Sequence, residues 1–282
     1  MTFRRTCNPW VDRDPWRPAI NLPETISSRA NGVTTVLCDA DGTLFPSEEP
    51  AYTASAVVVQ AFAERYGLAG DFTAENLRRI GTGRNFRAMA EYFLQDAGIA
   101  VDPDALQQWV DRERSEVTAH LANVLTPRPD VLAAVAELAH RFRLAVVSSS
   151  ASSRLAACFR ASGLDDSFPR EARFSAEDSL PRAVSKPDPA IYAHAMQQLG
   201  VTPDECLAIE DSPVGVSSAV AAGVVTVGIL QFVPAAERAQ RTEELRSAGA
   251  AHVAATWGEI ATLLTSSTSD DRVGGRNRAA AP

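Results

Sequence analysis

Apolar residues along this chain repeat with two different periods, and the change from one to the other divides it. Val33-Thr34-Thr35-Val36-Leu37 is a β-branched, nearly continuous apolar run and predicts a buried strand. Between residues 51 and about 125 the spacing is helical. It predicts helices over roughly 51–66, 73–80, 85–97 and 103–121, with Val58, Phe62, Met89, Phe93, Leu106 and Val110 among the apolar positions. From Pro127 helix and strand alternate: helices are expected over 129–140, 152–161, 188–199, 213–222, 234–247 and 257–264, and strands over 143–147, 172–175, 206–210, 224–229 and 251–254. Alternation of that kind predicts an α/β core, a parallel sheet with helices on both faces, interrupted after its first strand by an all-helical insert. The expected division is an irregular N-terminal extension over 1–31, a core from 32–46 and 127–264, the helical domain over 47–126, and a disordered tail over 265–282.

Composition narrows the class without naming a function. The 282 residues, 45% hydrophobic and 22% charged, suffice for one large domain or two smaller ones. A net charge of -8 argues against nucleic acid or an anionic membrane as the main partner, so an anionic substrate must meet locally positive groups. Arg4-Arg5 is followed by the polar run Asn8-Pro9-Trp10-Val11-Asp12-Arg13-Asp14 where an apolar targeting segment would be needed, and a cytoplasmic protein is expected. Cys7, Cys38, Cys158 and Cys206 lack Cys-x-x-Cys spacing and are expected to be reduced and structural. Lysine usage changes the picture most: Lys186 is the only lysine among 27 basic residues, which suggests a need for a compact ammonium that an arginine fork cannot replace.

Candidate chemistry gathers at the carboxyl ends of the predicted strands, the edge that faces the ligand crevice of an open α/β sheet. The first strand runs into Cys38-Asp39-Ala40-Asp41-Gly42-Thr43-Leu44, where Gly42 permits a sharp turn that aims two carboxylates at the crevice. The strand over 143–147 ends in Ser148-Ser149-Ser150, and the strand over 206–210 ends in Glu210-Asp211-Ser212-Pro213-Val214-Gly215. Ser185-Lys186-Pro187-Asp188-Pro189 precedes a helix. Each has an ordinary reading when taken singly: an Asp-Gly turn, a serine helix cap, a solvated lysine, an acidic pair at a helix N-terminus. Two acidic pairs at separate strand ends of one sheet are better explained by a cation, and Mg²⁺ suits carboxylate and carbonyl oxygens together with a substrate phosphate.

In this order the four stretches resemble the motifs of the haloacid dehalogenase superfamily, over roughly residues 33–260. The resemblance implies a Rossmann-like core with the helical insert as a cap, in the branch of phosphoglycolate phosphatases and β-phosphoglucomutases. It implies Asp39 as the nucleophile that forms an aspartyl-phosphate and Asp41 as general acid and base, a role that typically contributes about 10²- to 10⁴-fold. Ser148, with Ser149 beside it, would bind phosphate oxygens, and Lys186 would hold Asp39 and the phosphoryl group. Asp39, Asp41 through its carbonyl, Asp211 and, through water, Glu210 would hold Mg²⁺. Gly81-Thr82-Gly83-Arg84-Asn85 lies where relatives place a specificity loop, and Arg84 there is a candidate for a second anionic group on the substrate or, equally, a solvent-facing residue at a helix start.

Three functions compete on this resemblance. A Mg²⁺-dependent phosphatase for a small phosphorylated metabolite, acting as a monomer or homodimer, is the first. The second, a β-phosphoglucomutase-like mutase, would carry a histidine twelve positions beyond the nucleophile, where this chain has Ala51. The third, from another class, is a binding or regulatory protein that has lost activity, against which the full set Asp39, Asp41, Ser148, Lys186 and Asp211 argues. The second aspartate speaks against dehalogenation, and a helical insert without lysine speaks against phosphonate cleavage.

Overall fold

The computed structural model describes residues 32–80 and 85–266. Six strands form one all-parallel sheet: β1 (Thr35–Cys38), β2 (Arg143–Ser148), β3 (Arg173–Ser175), β4 (Cys206–Glu210), β5 (Val225–Ile229) and β6 (His252–Ala254). Their order across the sheet is β3-β2-β1-β4-β5-β6, so β1 lies between β2 and β4 and the chain changes direction across the sheet at the β1/β4 pair. In this topology a crevice opens outside the carboxyl ends of the strands at that reversal.

All four residues of β1 and all five of β4 are buried. Their alternation feeds two cores. Val36, Cys38, Leu207 and Ile209 join one apolar cluster with α5 (Pro129–Ala139), α6 (Ser152–Ser162) and α10 (Trp257–Ser266). Leu37, Cys206 and Ala208 join the opposite cluster with α7 (Ala190–Leu199) and α8 (Pro213–Ala221). Period two then places the next residues, Asp39 after β1 and Glu210 at the end of β4, on the same side as Leu37 and Ala208. α9 (Arg238–Ser247) completes the core beside β5 and β6.

Between β1 and α5 run four helices, α1 (Glu48–Tyr66), α2 (Ala74–Ile80), α3 (Phe86–Asp96) and α4 (Pro103–Val124). Val58, Phe62, Leu77, Phe86, Met89, Leu94 and Leu106 bury their side chains in a cluster of their own, with Phe93 and Val110 packed against it. Val117 and Leu121, toward the end of α4, belong instead to the sheet-side cluster and dock the insert on the core.

The element types are those expected from the pattern, and the differences lie at their ends. α1 begins at Glu48, three residues earlier than expected. Pro50 falls in its first turn, where no intrahelical bond is lost, and Glu48 and Glu49 favour a helix N-terminus. α9 begins at Arg238 instead of 234, because Glu237 N–H bonds Pro234 carbonyl in a turn before the helix takes over. α10 runs through Ser266, past the expected start of the tail. The extension over 1–31, with Cys7, and the remainder of the tail lie outside the described residues. Arg84 and the Gly81-Thr82-Gly83 loop do so as well.

Candidate active site

β1 delivers Asp39 to the crevice and the sheet fixes its backbone: Asp39 N–H donates to the Ile209 carbonyl at 2.9 Å. Beyond it the chain makes a tight loop in which Leu44 N–H returns to the Ala40 carbonyl at 2.9 Å and Gly42 N–H to the Phe45 carbonyl at 3.0 Å. The loop is pinned from the far side by Trp257, fully buried at the start of α10, whose indole N–H donates to the Thr43 carbonyl at 2.8 Å. Gly42 has φ +78°, and a Cβ there would overlap the Asp211 carboxylate. A glycine is therefore required both by conformation and by the approach of an acid from β4.

Lys186 is the positive centre. Its ammonium donates to Asp39 Oδ1 at 2.5 Å, Glu210 Oε1 at 2.6 Å and the Val147 carbonyl at 2.8 Å, which uses all three of its protons. Only 5% of its side chain is exposed. Burial works against the ammonium, but Asp39 and Glu210 outweigh it and raise its pKa, so it stays charged at neutral pH. Burial also raises the Asp39 carboxyl, against the pull of Lys186. The same cause pushes Glu210 up to about 7, with Lys186 opposing and Asp39 adding to the rise. Asp211 is driven well above the usual carboxylate range by burial and by the negative charges of Asp39, Glu48 and Glu210, with the Thr43 hydroxyl, 3.0 Å away, opposing.

The second aspartate is handled differently. Asp41 Oδ1 accepts from the Ser47 hydroxyl at 2.5 Å and Oδ2 from the Ser150 hydroxyl at 2.7 Å. Ser47 stands at the N-cap of α1 but makes no side-chain cap there; its hydroxyl serves Asp41. In the serine run, Ser148 is buried and its Oγ accepts from Ser150 N–H at 3.0 Å, while Ser149 Oγ accepts from Lys186 N–H at 3.4 Å. None of the three caps α6, whose N-cap is Ala151.

One ligand atom from each of Asp39, Glu210 and Asp211 lies within 4.8 Å of the others, and all three residues are buried. Of these three buried acids, Asp39 and Glu210 share the Lys186 ammonium, and Glu210 Oε2 is buried with no hydrogen-bond partner among the described residues. That donor set, all hard oxygens, fits a Mg²⁺-type cation. The structure thus brings together Asp39, Asp41, Ser148, Ser149, Lys186, Glu210 and Asp211. It adds residues that the sequence reading passed over: Ser47, Thr43 and Ser150, which lie inside or beside the motifs, and Tyr192, six positions beyond Lys186, whose hydroxyl donates to Glu210 Oε1 at 2.5 Å. Their signal in the sequence was position alone.

Comparison with known proteins places this geometry. The family model for haloacid dehalogenase-like hydrolases matches residues 33–223. Validoxylamine A 7'-phosphate phosphatase of Streptomyces hygroscopicus subsp. limoneus is 29% identical over 199 residues, 68% of this chain and 84% of that protein. A 57-residue segment, 20% of this chain, is 42% identical to 25% of the beta-phosphoglucomutase of Bacillus subtilis. Two Arabidopsis thaliana relatives, a haloacid dehalogenase-like hydrolase domain-containing protein and a CBBY-like protein, are matched over 38% and 32% of their own length, so the chain spans about a third of each. Among solved structures, a hydrolase of the family from Deinococcus radiodurans R1 with bound phosphate and sodium superposes with a TM-score of 0.57 at 27% identity, covering 84% of this chain and 96% of that one. The match runs from just before β1, which leads into Asp39, to the glycine after α8 and includes every motif that lines the crevice: the chain belongs to the haloacid dehalogenase-like hydrolase family.

Proposed function

We propose that this chain is a Mg²⁺-dependent, cytoplasmic phosphatase for a small phosphorylated metabolite, with residues 47–126 as a cap over the crevice. The observation that carries the reading is the unequal treatment of the two aspartates. Asp39 is held by an ammonium and faces the acid cluster, as a nucleophile that must approach an anion needs. Asp41 is held by two hydroxyls, which can exchange for a substrate oxygen.

The Asp39 carboxylate attacks phosphorus, forming the Asp39 O–P bond as the P–O bond to the leaving alcohol breaks, and the Asp41 carboxyl gives its proton to the departing oxygen. The Asp41 carboxylate then takes a proton from water, whose oxygen attacks phosphorus and frees Asp39 and inorganic phosphate. Lys186 stays on Asp39 throughout and offsets the charge gathering on the phosphoryl oxygens. Ser148 and Ser149, at the end of β2, line the phosphate side. Mg²⁺, held by Asp39, Asp211 and the Asp41 carbonyl with Glu210 behind them, would supply the positive charge that lets an anionic nucleophile and an anionic ester approach.

A mutase has to shield the same intermediate from water and present a sugar hydroxyl to it with help from the cap. Ala51, partly buried on α1 against the sheet-side cluster, has no group to offer for that purpose. The relative from Streptomyces that matches over most of its length is named a phosphatase, which supports hydrolysis. The test is a panel of phosphorylated metabolites with Mg²⁺, measuring free phosphate and, separately, conversion of β-glucose 1-phosphate to glucose 6-phosphate. Phosphate release from at least one small substrate without isomerisation is expected; efficient isomerisation with little phosphate would overturn the reading.

A further inference from the structure

Lys186 has no spare proton. Its three donors meet three acceptors, two of them carboxylates that compete for it: Asp39 at 2.5 Å and Glu210 at 2.6 Å. Glu210 is the more deeply buried of the two, and its Oε2 has no hydrogen-bond partner among the described residues. What weakens its hold is a second donor on the contested oxygen. Tyr192, fully buried on α7, donates its hydroxyl to the same Glu210 Oε1 at 2.5 Å. Burial and the neighbouring Glu210 charge raise the phenol's pKa, so it remains a neutral donor. On the other side, a Cβ at Gly215 would overlap the Glu210 carboxylate, so that carboxylate is confined between the Tyr192 hydroxyl and the bare Cα of Gly215.

We infer that Tyr192 is a positioning residue, whose hydroxyl shares the charge of Glu210 Oε1 and thereby leaves the Lys186 ammonium on Asp39. Without the hydroxyl, Glu210 has a single side-chain donor on its carboxylate and draws Lys186 away from the nucleophile. The ring of Tyr192 also lies beside the ammonium, with Nζ 5.4 Å from its centroid, and phenylalanine keeps that contact. Tyr192→Phe therefore removes the hydroxyl alone.

The inference rests on Asp39 being the nucleophile and Lys186 its charge partner, and the sequence supplies a probe that does not. Lys186 is the only lysine, so the full chain grown with ε-¹⁵N-lysine gives one side-chain ammonium resonance that needs no assignment. In Tyr192→Phe that resonance is expected to shift and its protons to exchange with water several times faster. kcat on the best substrate of the panel should fall about tenfold, the scale of one charge-assisted hydrogen bond acting through a neighbour, with KM within about twofold. Gly215→Ala crowds the same carboxylate from the opposite side and keeps the hydroxyl, so a resonance that moves there but not in Tyr192→Phe assigns the hold on Glu210 to the Gly215 contact and overturns the inference. An unmoved lysine resonance in a folded variant overturns the inference, as does a lower melting temperature with kcat and resonance unchanged. If the chain releases phosphate from no ester, the phosphatase reading fails by itself and the lysine resonance still decides for or against Tyr192.

Discussion

The strand ends that floor the crevice and the helical insert beside them are stabilised by opposite means. The floor is polar and buried: Asp39, Thr43, Ser47, Ser148, Glu210 and Asp211 are all sequestered, with Asp39 and Glu210 joined through Lys186, Tyr192 on Glu210, and the Thr43 hydroxyl on Asp211. Buried charge is costly unless it is paired, so each of these residues depends on the others and few substitutions are tolerated. The insert is apolar inside. Phe62 meets the rings of Tyr66, Trp109 and Phe86 at 4.8, 5.6 and 5.9 Å, and shape and volume are its main constraints. At its margins it meets the core through ion pairs, two of them partly exposed, Arg78 with Glu237 at 2.7 Å and Arg114 with Glu177, and one largely buried, Arg154 with Glu113 at 3.8 Å. Such pairs contribute little, about 0–1 kcal/mol each where exposed. On the proposed reading the floor sets the type of reaction and the insert the choice of substrate.

Substitutions in the two regions should therefore differ in kind. The largest effect is expected on the floor: Lys186→Met removes the ammonium shared by Asp39 and Glu210 and should cut kcat by about 10²- to 10³-fold, read by steady-state phosphate release. Gly42→Ala should follow, at about 10²-fold, because its Cβ displaces the Asp211 carboxylate and φ +78° strains the loop that carries Asp41. In the insert, Phe62→Ala should cost about 3–5 kcal/mol of stability in a denaturant titration, while activity of the fraction that remains folded changes more in KM than in kcat. An equal loss of kcat would erase the distinction between the regions. Smallest is the junction. Burial raises the pKa of Glu113 above its ordinary 4.5, and Arg154 opposes without cancelling the rise. A carboxyl with a raised folded pKa favours the folded state while protonated and loses that contribution as pH rises from its unfolded through its folded value. Glu113→Gln should thus gain in melting temperature relative to wild type between pH 4.5 and pH 7.5; the opposite trend would make the Arg154 contact dominant.

The same contrast explains what could be read from the sequence. Motif residues on the floor sit at strand ends because β-branched runs end there, and the alternation of β1 and β4 sends Asp39 and Glu210 to one side. Asp39, Asp41 and Asp211 were therefore legible as a group, and Lys186 by being the one lysine in the sequence. Ser150 and Ser47 were not, since a hydroxyl near a helix start reads as a cap, and only the folded loop shows that both serve Asp41. Tyr192 was hidden for another reason: on an amphipathic helix it counts as one more apolar position, and the partner of its hydroxyl lies 18 residues away on β4. Helix ends moved where local chemistry outweighed periodicity, as at Pro50 in the first turn of α1.

The most direct test of the account is whether Asp39 itself carries the phosphoryl group. Wild type and Asp39→Asn, matched by circular dichroism, would be mixed with the best substrate and Mg²⁺, quenched in acid within one turnover, digested, and searched by mass spectrometry for a phosphorylated peptide spanning Asp39. The account predicts an acid-stable, base-labile phosphate on that peptide in wild type, none in Asp39→Asn, and no measurable turnover in the variant. A variant that kept even about a tenth of the wild-type rate, or a label found on another residue, would contradict it.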